Sequence, residues 1–197
     1  MNSRNEGIPI LSWFPKRSIV LVGLMGCGKS SIGRRLAAHL ALPFSDSDME
    51  VEEAAGCSVE QIFDHYGEED FRRGERRVIE RLLEGPLQVI ATGGGAFIDV
   101  HSRKIIKDKA RSVWLKAELN VLVSRTTHGP RRHTRPLLNE GDPVKVLERL
   151  MEQRYPIYAH ADITVETWHT PPEETVQRVL SALRNFNEKA IEQTAAS

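Results

Sequence analysis

Short apolar runs alternate with amphipathic stretches along most of the chain, and this alternation predicts strands and helices in turn. The first apolar run, Ile19–Val22, precedes a helical pattern at Lys29–Ala41, which Pro43 ends. Further strands are predicted at Phe44–Asp48, Val89–Ala91, Ser112–Leu115 and Ile163–Val165. Further helices are predicted at Met49–Ala55, Val59–His65, Glu68–Glu84, Val100–Lys109, Glu118–Thr126, Val144–Tyr155 and Pro172–Glu188.

Strands that alternate with helices in this way predict an α/β fold, with a parallel sheet between two layers of helices. The predicted domain spans residues 17–188, between an N-terminal tail at 1–16 and a C-terminal tail at 189–197. Residues 127–141 are polar and rich in Gly, Pro, Arg and His, so we expect them to form a lid. In parallel sheets ligands bind beyond the carboxyl ends of the strands, which is where we expect a site.

Composition narrows the functional classes. The 197 residues carry 27 basic and 27 acidic side chains, and this balance gives no indication of nucleic acid or a membrane surface as a partner. The two cysteines, Cys27 and Cys57, predict neither a disulfide framework nor a zinc site. No apolar run is long enough to span a bilayer and the N-terminus has no signal-peptide core, so we expect a cytoplasmic protein.

The segment Gly23–Ser30 fits the phosphate-binding pattern G-x-x-x-x-G-K-[ST], and it lies between the first strand and the first helix. Glycines let several backbone N–H groups face one anion, and the helix N-terminus adds partial positive charge. Lys29 is expected to meet the β- and γ-phosphates, and the Ser30 hydroxyl to ligate Mg²⁺. The alternative is an ordinary glycine-rich turn.

Three further segments carry candidate chemistry. Asp46 and Asp48 end the second predicted strand, and the alternation of side chains places both on the same side of it. We expect one of them to hold Mg²⁺ through water and the other to bind a substrate hydroxyl. The alternative for Asp48 is that it caps the following helix. Arg72 and Glu75 are i, i+3 neighbours that can form a fixed carboxylate-binding pair, although a solvated charged helix explains this segment at least as well. Gly93–Gly95 offers bare backbone to a ligand, or a simple turn.

Taken in order, these motifs resemble those of shikimate kinases. The resemblance covers residues 17–182 and includes two more segments, Arg135-Pro136-Leu-Leu138 and Arg154-x-Pro156. It implies a P-loop fold of the nucleoside-monophosphate-kinase type, with a five-stranded parallel sheet in three αβα layers. It also implies transfer of the γ-phosphoryl group of ATP to the 3-hydroxyl of shikimate, on the route to chorismate and aromatic amino acids, by a monomeric enzyme.

The resemblance also implies roles for individual residues. It assigns the substrate hydroxyls to Asp48, the carboxylate to Arg72 (held by Glu75), Gly94 and Arg154, and the apolar wall to Phe63 and Phe71. It assigns catalysis to Lys29, Asp48 and Arg135. It assigns the binding of Mg²⁺ to Ser30 directly and to Asp46 through water. The nucleotide is expected at Gly26, Cys27, Gly28, Lys29, Ser30, Ser31 and Arg135, with adenine between Arg125 and Pro172; the substrate also lies against Gly93 and Gly95.

Two other functions stay open on the residues alone. One is another small-molecule kinase of the same fold, such as a gluconate kinase. The other is a nucleotide-dependent regulatory module that transfers phosphate poorly. The ordinary pKa of an aspartate, about 3.9, lies far below that of an alcohol, so we expect Asp48 to orient the hydroxyl and to accept its proton late in the transfer.

Overall fold

The computed structural model describes residues 17–127 and 141–195, with side chains as far as residue 189. Its strands are β1 (Ser18–Val22), β2 (Phe44–Asp46), β3 (Val89–Ala91), β4 (Ala110–Ala117) and β5 (Ile163–Thr167). Its helices are α1 (Lys29–His39), α2 (Ser47–Ala55), α3 (Val59–Glu84), α4 (Val100–Lys109), α5 (Leu119–Thr127), α6 (Pro143–Tyr158) and α7 (Pro172–Ala195).

The strands form one parallel sheet in the order β2-β3-β1-β4-β5. Every residue of β1 is buried, as expected of the central strand of a sheet covered on both faces. Helix α1 packs against α7, and α3 packs against α4. The predicted α/β class, five-stranded parallel sheet and three-layer αβα arrangement are therefore confirmed.

Several element boundaries differ from the sequence-based expectation, and the largest differences lie in β2, β4, α6 and α7. Strand β2 stops at Asp46, because the Asp46 side chain accepts a hydrogen bond from the backbone of Asp48 and caps α2. Strand β4 is longer than predicted at both ends. Helix α6 continues through Pro156 to Tyr158, and α7 continues to Ala195, beyond the predicted end at Glu188.

Helix α3 contains an interruption that matters for the site. Gly67 has φ 80° and ψ 175°, so the helix is broken between Tyr66 and Glu68, as the two separate predicted helices require. A positive φ of this kind favours glycine over any residue with a side chain. The break sets the direction of the segment that carries the predicted carboxylate-binding pair.

The sheet order places the carboxyl ends of β2 and β3 on one side of β1, and those of β4 and β5 on the other. Strands β2 and β3 are neighbours, and residues 47–88 between them form α2 and α3. Among residues 17–127 and 141–195, no helix combines the length and the apolar character needed to cross a bilayer.

Candidate active site

The predicted phosphate loop connects the central strand to α1. Gly28 precedes the helix with φ 101°, a left-handed conformation, and no side chain caps the helix there. The Lys29 ammonium donates to the carbonyls of Gly23 at 2.7 Å and Leu24 at 3.0 Å, so it lies over the loop. A helix N-terminus without a side-chain cap, beside a lysine, is suited to bind a phosphate group.

The loop is joined to β2 by a hydroxyl–carboxylate contact. The Ser30 hydroxyl donates to Asp46 at 2.6 Å, and the other Asp46 oxygen accepts the backbone N–H of Asp48 at 3.2 Å. Asp46 is the cap of α2 and Asp48 lies in its first turn, so the expectation that both extend from one face of a strand is wrong. Asp48 is likewise not the N-cap.

Asp48 lies between several charged groups. Burial raises the pKa of this carboxyl to about 6 and Asp46 adds to the rise, while Lys29 and Arg72 oppose it. Lys29 comes from the phosphate loop and Arg72 from α3. The three predicted functional side chains therefore face the same region of the molecule.

Arg72 and Glu75 form the predicted pair on α3. The Arg72 guanidinium donates to Glu75 at 2.7 Å, and the Glu75 side chain is only 1% exposed, so these two residues are not part of a solvated helix face. Burial raises the pKa of Glu75 to about 7, because it outweighs the attraction of Arg72, and Asp48 adds to the rise. The second Glu75 oxygen is buried and has no hydrogen-bond partner among the residues that the structure describes.

The triple glycine lies where these side chains converge. A Cβ at Gly93 would lie 2.4 Å from an Asp48 oxygen and 2.8 Å from a Glu75 oxygen, and a Cβ at Gly95 would lie 2.3 Å from the Arg72 guanidinium. Side chains at either position would displace the charged groups. The lack of side chains at these glycines lets the charged groups approach the backbone closely, which a simple turn would not require.

Arg154 approaches the same glycines from α6. Its guanidinium donates to the Gly94 carbonyl at 3.3 Å, and the hydroxyl of Tyr158 donates to the same oxygen. Tyr158 is fully buried, and the sequence analysis did not identify it. Its spacing of four residues from Arg154, which places both on one helix face, is the signal that could have found it.

The predicted apolar wall is formed by two aromatic rings. The Phe63 and Phe71 rings are 4.6 Å apart at their centroids and tilted by 36°. Phe71 is buried, Phe63 is partly buried, and the Arg72 guanidinium lies 5.1 Å from the Phe71 ring centroid. These rings are placed to cover the apolar side of a small ligand beside the guanidinium.

A cavity of about 410 Å³ lies against the phosphate loop. Arg125 and Pro172, the predicted adenine-binding pair, both line it, together with Gly28 and Ser31 of the loop region. The Arg125 guanidinium donates to the carbonyl of Trp168 at 2.7 Å. A nucleobase in this cavity would lie beside the phosphate loop, as ATP requires.

Three predicted site residues remain. Cys27 is buried in the phosphate loop, with its sulfur 3.8 Å from the Lys29 ammonium, and Gly26 has φ 84°. Arg135 lies outside the described residues, as do the tail at 1–16 and most of the predicted lid. Within the described residues no group of three or more His, Cys, Asp or Glu is arranged to hold a metal. Ser30 and Asp46, the predicted magnesium ligands, contact each other beside the phosphate loop.

The sequence model of the shikimate kinase family matches residues 25–184.

The chain belongs to the shikimate kinase family.

Among the curated shikimate kinases, that of Paramagnetospirillum magneticum is 56% identical over 178 residues, which cover 90% of each chain. That of Caulobacter vibrioides is 56% identical over 168 residues, covering 85% of this chain and 82% of the relative. A solved shikimate kinase from Acinetobacter baumannii, in complex with shikimate, matches with a TM-score of 0.79 and 36% identity over 83% of this chain and 90% of its own.

The expected shikimate kinase family, its kinase activity (EC 2.7.1.71) and its phosphoryl donor, ATP, are thereby confirmed. A gluconokinase from Sinorhizobium meliloti also matches, with a TM-score of 0.61 over 90% of this chain and 97% of its own, but at 21% identity it shares only the fold. The fold alone therefore does not distinguish a shikimate kinase from a gluconokinase, and the family match does.

Proposed function

We propose that this enzyme transfers the γ-phosphoryl group of ATP to the 3-hydroxyl of shikimate, with the acceptor bound between Asp48, Arg72 and Arg154. The observation that carries the proposal is the convergence of Asp48 and Arg72 on Gly93 and Gly95, beside Lys29 of the phosphate loop. This arrangement offers a hydroxyl-binding carboxylate and a carboxylate-binding guanidinium to one small molecule. It thus suits a ring that bears both a hydroxyl and an acid.

On the acceptor side, the Arg72 and Arg154 guanidinium groups bind the shikimate carboxylate, and Asp48 accepts a hydrogen bond from the reacting hydroxyl. Because Glu75 holds Arg72 at 2.7 Å and is itself buried, the guanidinium is positioned before the substrate arrives. Phe63 and Phe71 pack against the apolar part of the ring. Gly94 leaves room for the carboxylate next to Arg154.

On the donor side, the backbone N–H groups of the phosphate loop and the ammonium of Lys29 bind the phosphates of ATP. Adenine occupies the cavity lined by Arg125 and Pro172. In the transfer, the 3-oxygen of shikimate forms a bond to the γ-phosphorus as the bond to ADP breaks. Lys29 and Arg135 stabilise the charge that collects on the transferring group, and the lid at 127–141 excludes water.

The proton of the shikimate hydroxyl goes to Asp48. A pKa of about 6 leaves this carboxyl ionised near neutral pH but makes it a better proton acceptor than an ordinary aspartate. It still lies far below the pKa of an alcohol, so the proton moves late, when the bond to phosphorus has formed. Asp48 therefore orients the hydroxyl first and accepts the proton afterwards.

Mg²⁺ fits beside Ser30 and Asp46. Their hydroxyl and carboxylate oxygens, 2.6 Å apart, are hard donors, and a magnesium ion takes few protein ligands when phosphates and water supply the rest. When bound, the ion neutralises charge on the phosphates. We propose Ser30 as a direct ligand and Asp46 as a ligand through water.

The cytoplasmic location, the monomeric state and the domain limits at 17 and 188 stay predictions. Light scattering coupled to size exclusion chromatography tests the monomeric state.

A coupled assay of ADP release tests the reaction. Every assay contains ATP and Mg²⁺, together with shikimate, with gluconate or with no acceptor. We expect release only with shikimate. Equal release with all three would contradict the proposal and favour a regulatory module, and release with gluconate alone would favour the other kinase.

A further inference from the structure

Arg72 contacts two glutamates of α3 that differ greatly in exposure. Glu75, three residues on, is 1% exposed, and Glu68, four residues before, is 69% exposed. One Glu68 oxygen accepts from two atoms of the guanidinium, Nη2 at 3.2 Å and Nε at 3.4 Å. Arg72 is thus held by one buried carboxylate and one that extends into solvent.

These contacts engage all three nitrogens of the Arg72 guanidinium. A carboxylate binds a guanidinium best through two neighbouring N–H groups. Nη1 donates to Glu75, while the edge formed by Nε and Nη2 donates to Glu68. Gly95 lies close against the guanidinium, since a Cβ there would be 2.3 Å from Nη1. A carboxylate that binds at the Nε–Nη2 edge therefore competes with Glu68.

We propose that Glu68 is a competing carboxylate, which holds the Nε–Nη2 edge of Arg72 while the acceptor site is empty and is displaced by the carboxylate of the acceptor. The inference rests on the proposed function, in which Arg72 binds that carboxylate. Glu68 acts through Arg72 and is a positioning residue. Because the acceptor carboxylate takes the place of the Glu68 carboxylate, the guanidinium is paired with an anion both before and after binding.

The position of Glu68 suits this exchange. It directly follows the break at Gly67, at the start of a helical segment, and its side chain is free to turn into solvent when released. An exposed i, i+4 ion pair contributes only a few-fold in an equilibrium, so displacement is easy. Glu75 stays in place because it is buried, and Arg72 therefore keeps its position during the exchange.

The test compares Glu68→Gln with Glu69→Gln, which removes the same charge from the adjacent exposed residue. Steady-state kinetics are measured with shikimate varied at saturating ATP, and with ATP varied at saturating shikimate. For Glu68→Gln we expect the KM for shikimate to fall about two- to five-fold, with kcat and the KM for ATP unchanged. All constants of Glu69→Gln should stay at the wild-type values.

An unchanged or raised KM for shikimate in Glu68→Gln would overturn the inference, as would an equal fall in Glu69→Gln. Arg72→Lys is measured in parallel, because it reports on the proposed function. If Arg72→Lys selectively weakens shikimate binding while Glu68→Gln changes nothing, only the competition is wrong. If Arg72→Lys has no selective effect, the assignment of the carboxylate to Arg72 is wrong.

Discussion

Asp48 and Glu75 approach Gly93 from two different helices, and their nearest oxygens would lie 2.4 Å and 2.8 Å from a Cβ at that position. Helix α2 carries Asp48 and α3 carries Glu75, so Gly93 is the point at which the two helices and β3 meet in the site. The space is fully used by carboxylate oxygens. A single methyl group there would act on both acids at once.

We therefore expect Gly93→Ala to lower kcat/KM for shikimate by about 100-fold or more, because displacing a reacting group by even 1 Å can cost that much. The KM for ATP should change little. Gly74→Ala is the matched control, because a Cβ on this helical glycine has open space around it. It should leave activity intact and raise the free energy of unfolding by about 0.5–1 kcal/mol. Normal activity of Gly93→Ala would contradict the close approach.

Glu75 gives the protein a pH-dependent stability. Its pKa in the folded protein is about 7, above the 4.5 of the unfolded chain, so the folded state holds the proton more tightly. The contribution is complete below pH 4.5 and is lost as the pH rises through 7. Relative to Glu75→Gln, the wild type should lose on the order of 1–3 kcal/mol of unfolding free energy over this range.

Urea unfolding at pH 4.5, 6 and 7.5 measures this difference. Glu69→Gln serves as the control, because it removes an exposed carboxylate from the same helix. Parallel pH curves for the wild type and Glu75→Gln would show that Glu75 is ionised throughout, and would exclude the raised pKa.

The carboxylate assignment is tested at Arg72. Lysine keeps the charge but loses the planar pair of N–H groups, so Arg72→Lys should raise the KM for shikimate far more than that for ATP. We expect at least a ten-fold difference between the two changes, from steady-state kinetics with each substrate varied in turn. Equal changes in both would argue against Arg72 as the carboxylate-binding residue.

The predicted role of Arg125 in binding adenine is tested with Arg178 as the control, because both arginines contact Trp168. Arg125 lines the cavity and donates to the Trp168 carbonyl, while Arg178 stacks on the Trp168 ring with 4.1 Å to its centroid and does not line the cavity. Arg125→Ala should raise the KM for ATP about ten-fold, as lost stacking and cation–π contacts predict, without changing that for shikimate. A similar effect of Arg178→Ala would point to the loop as a whole.

The role of Arg135 in stabilising the transferring phosphoryl group is assigned by resemblance to shikimate kinases. The activity of a variant tests it. Arg135→Ala should lower kcat by about 100-fold or more, the usual effect of removing one group that stabilises charge in the transition state. The circular dichroism spectrum and the melting temperature should match those of the wild type. A kcat near that of the wild type would remove Arg135 from the transfer.

The phosphate loop and the sheet were predictable because they depend on local patterns. Gly23–Ser30 lies between a buried strand and a helix, and the ends of the next two strands, β2 and β3, carry short, distinctive motifs. The break at Gly67 was also predictable, since helical spacing stops on either side of it. In these places, sequence neighbours alone determine the conformation.

Other features depend on contacts between distant residues. The end of β2 follows from competition between strand pairing and the cap formed by Asp46, which alternation of side chains cannot decide. The helix predicted to end at Tyr155 continues as α6 to Tyr158, whose hydroxyl reaches the Gly94 carbonyl. The buried state of Glu75 was likewise hidden among charged neighbours, because burial depends on how α3 packs.

The placement of α2 and α3 between neighbouring strands has an evolutionary consequence. Apart from Arg154 on α6, the residues proposed to recognise the acceptor lie in one continuous segment, residues 47–88, and in the turn after β3. The base-binding cavity draws on the opposite half of the sheet. Substitutions in this segment can therefore retune which molecule receives the phosphoryl group while the machinery that supplies it is left untouched.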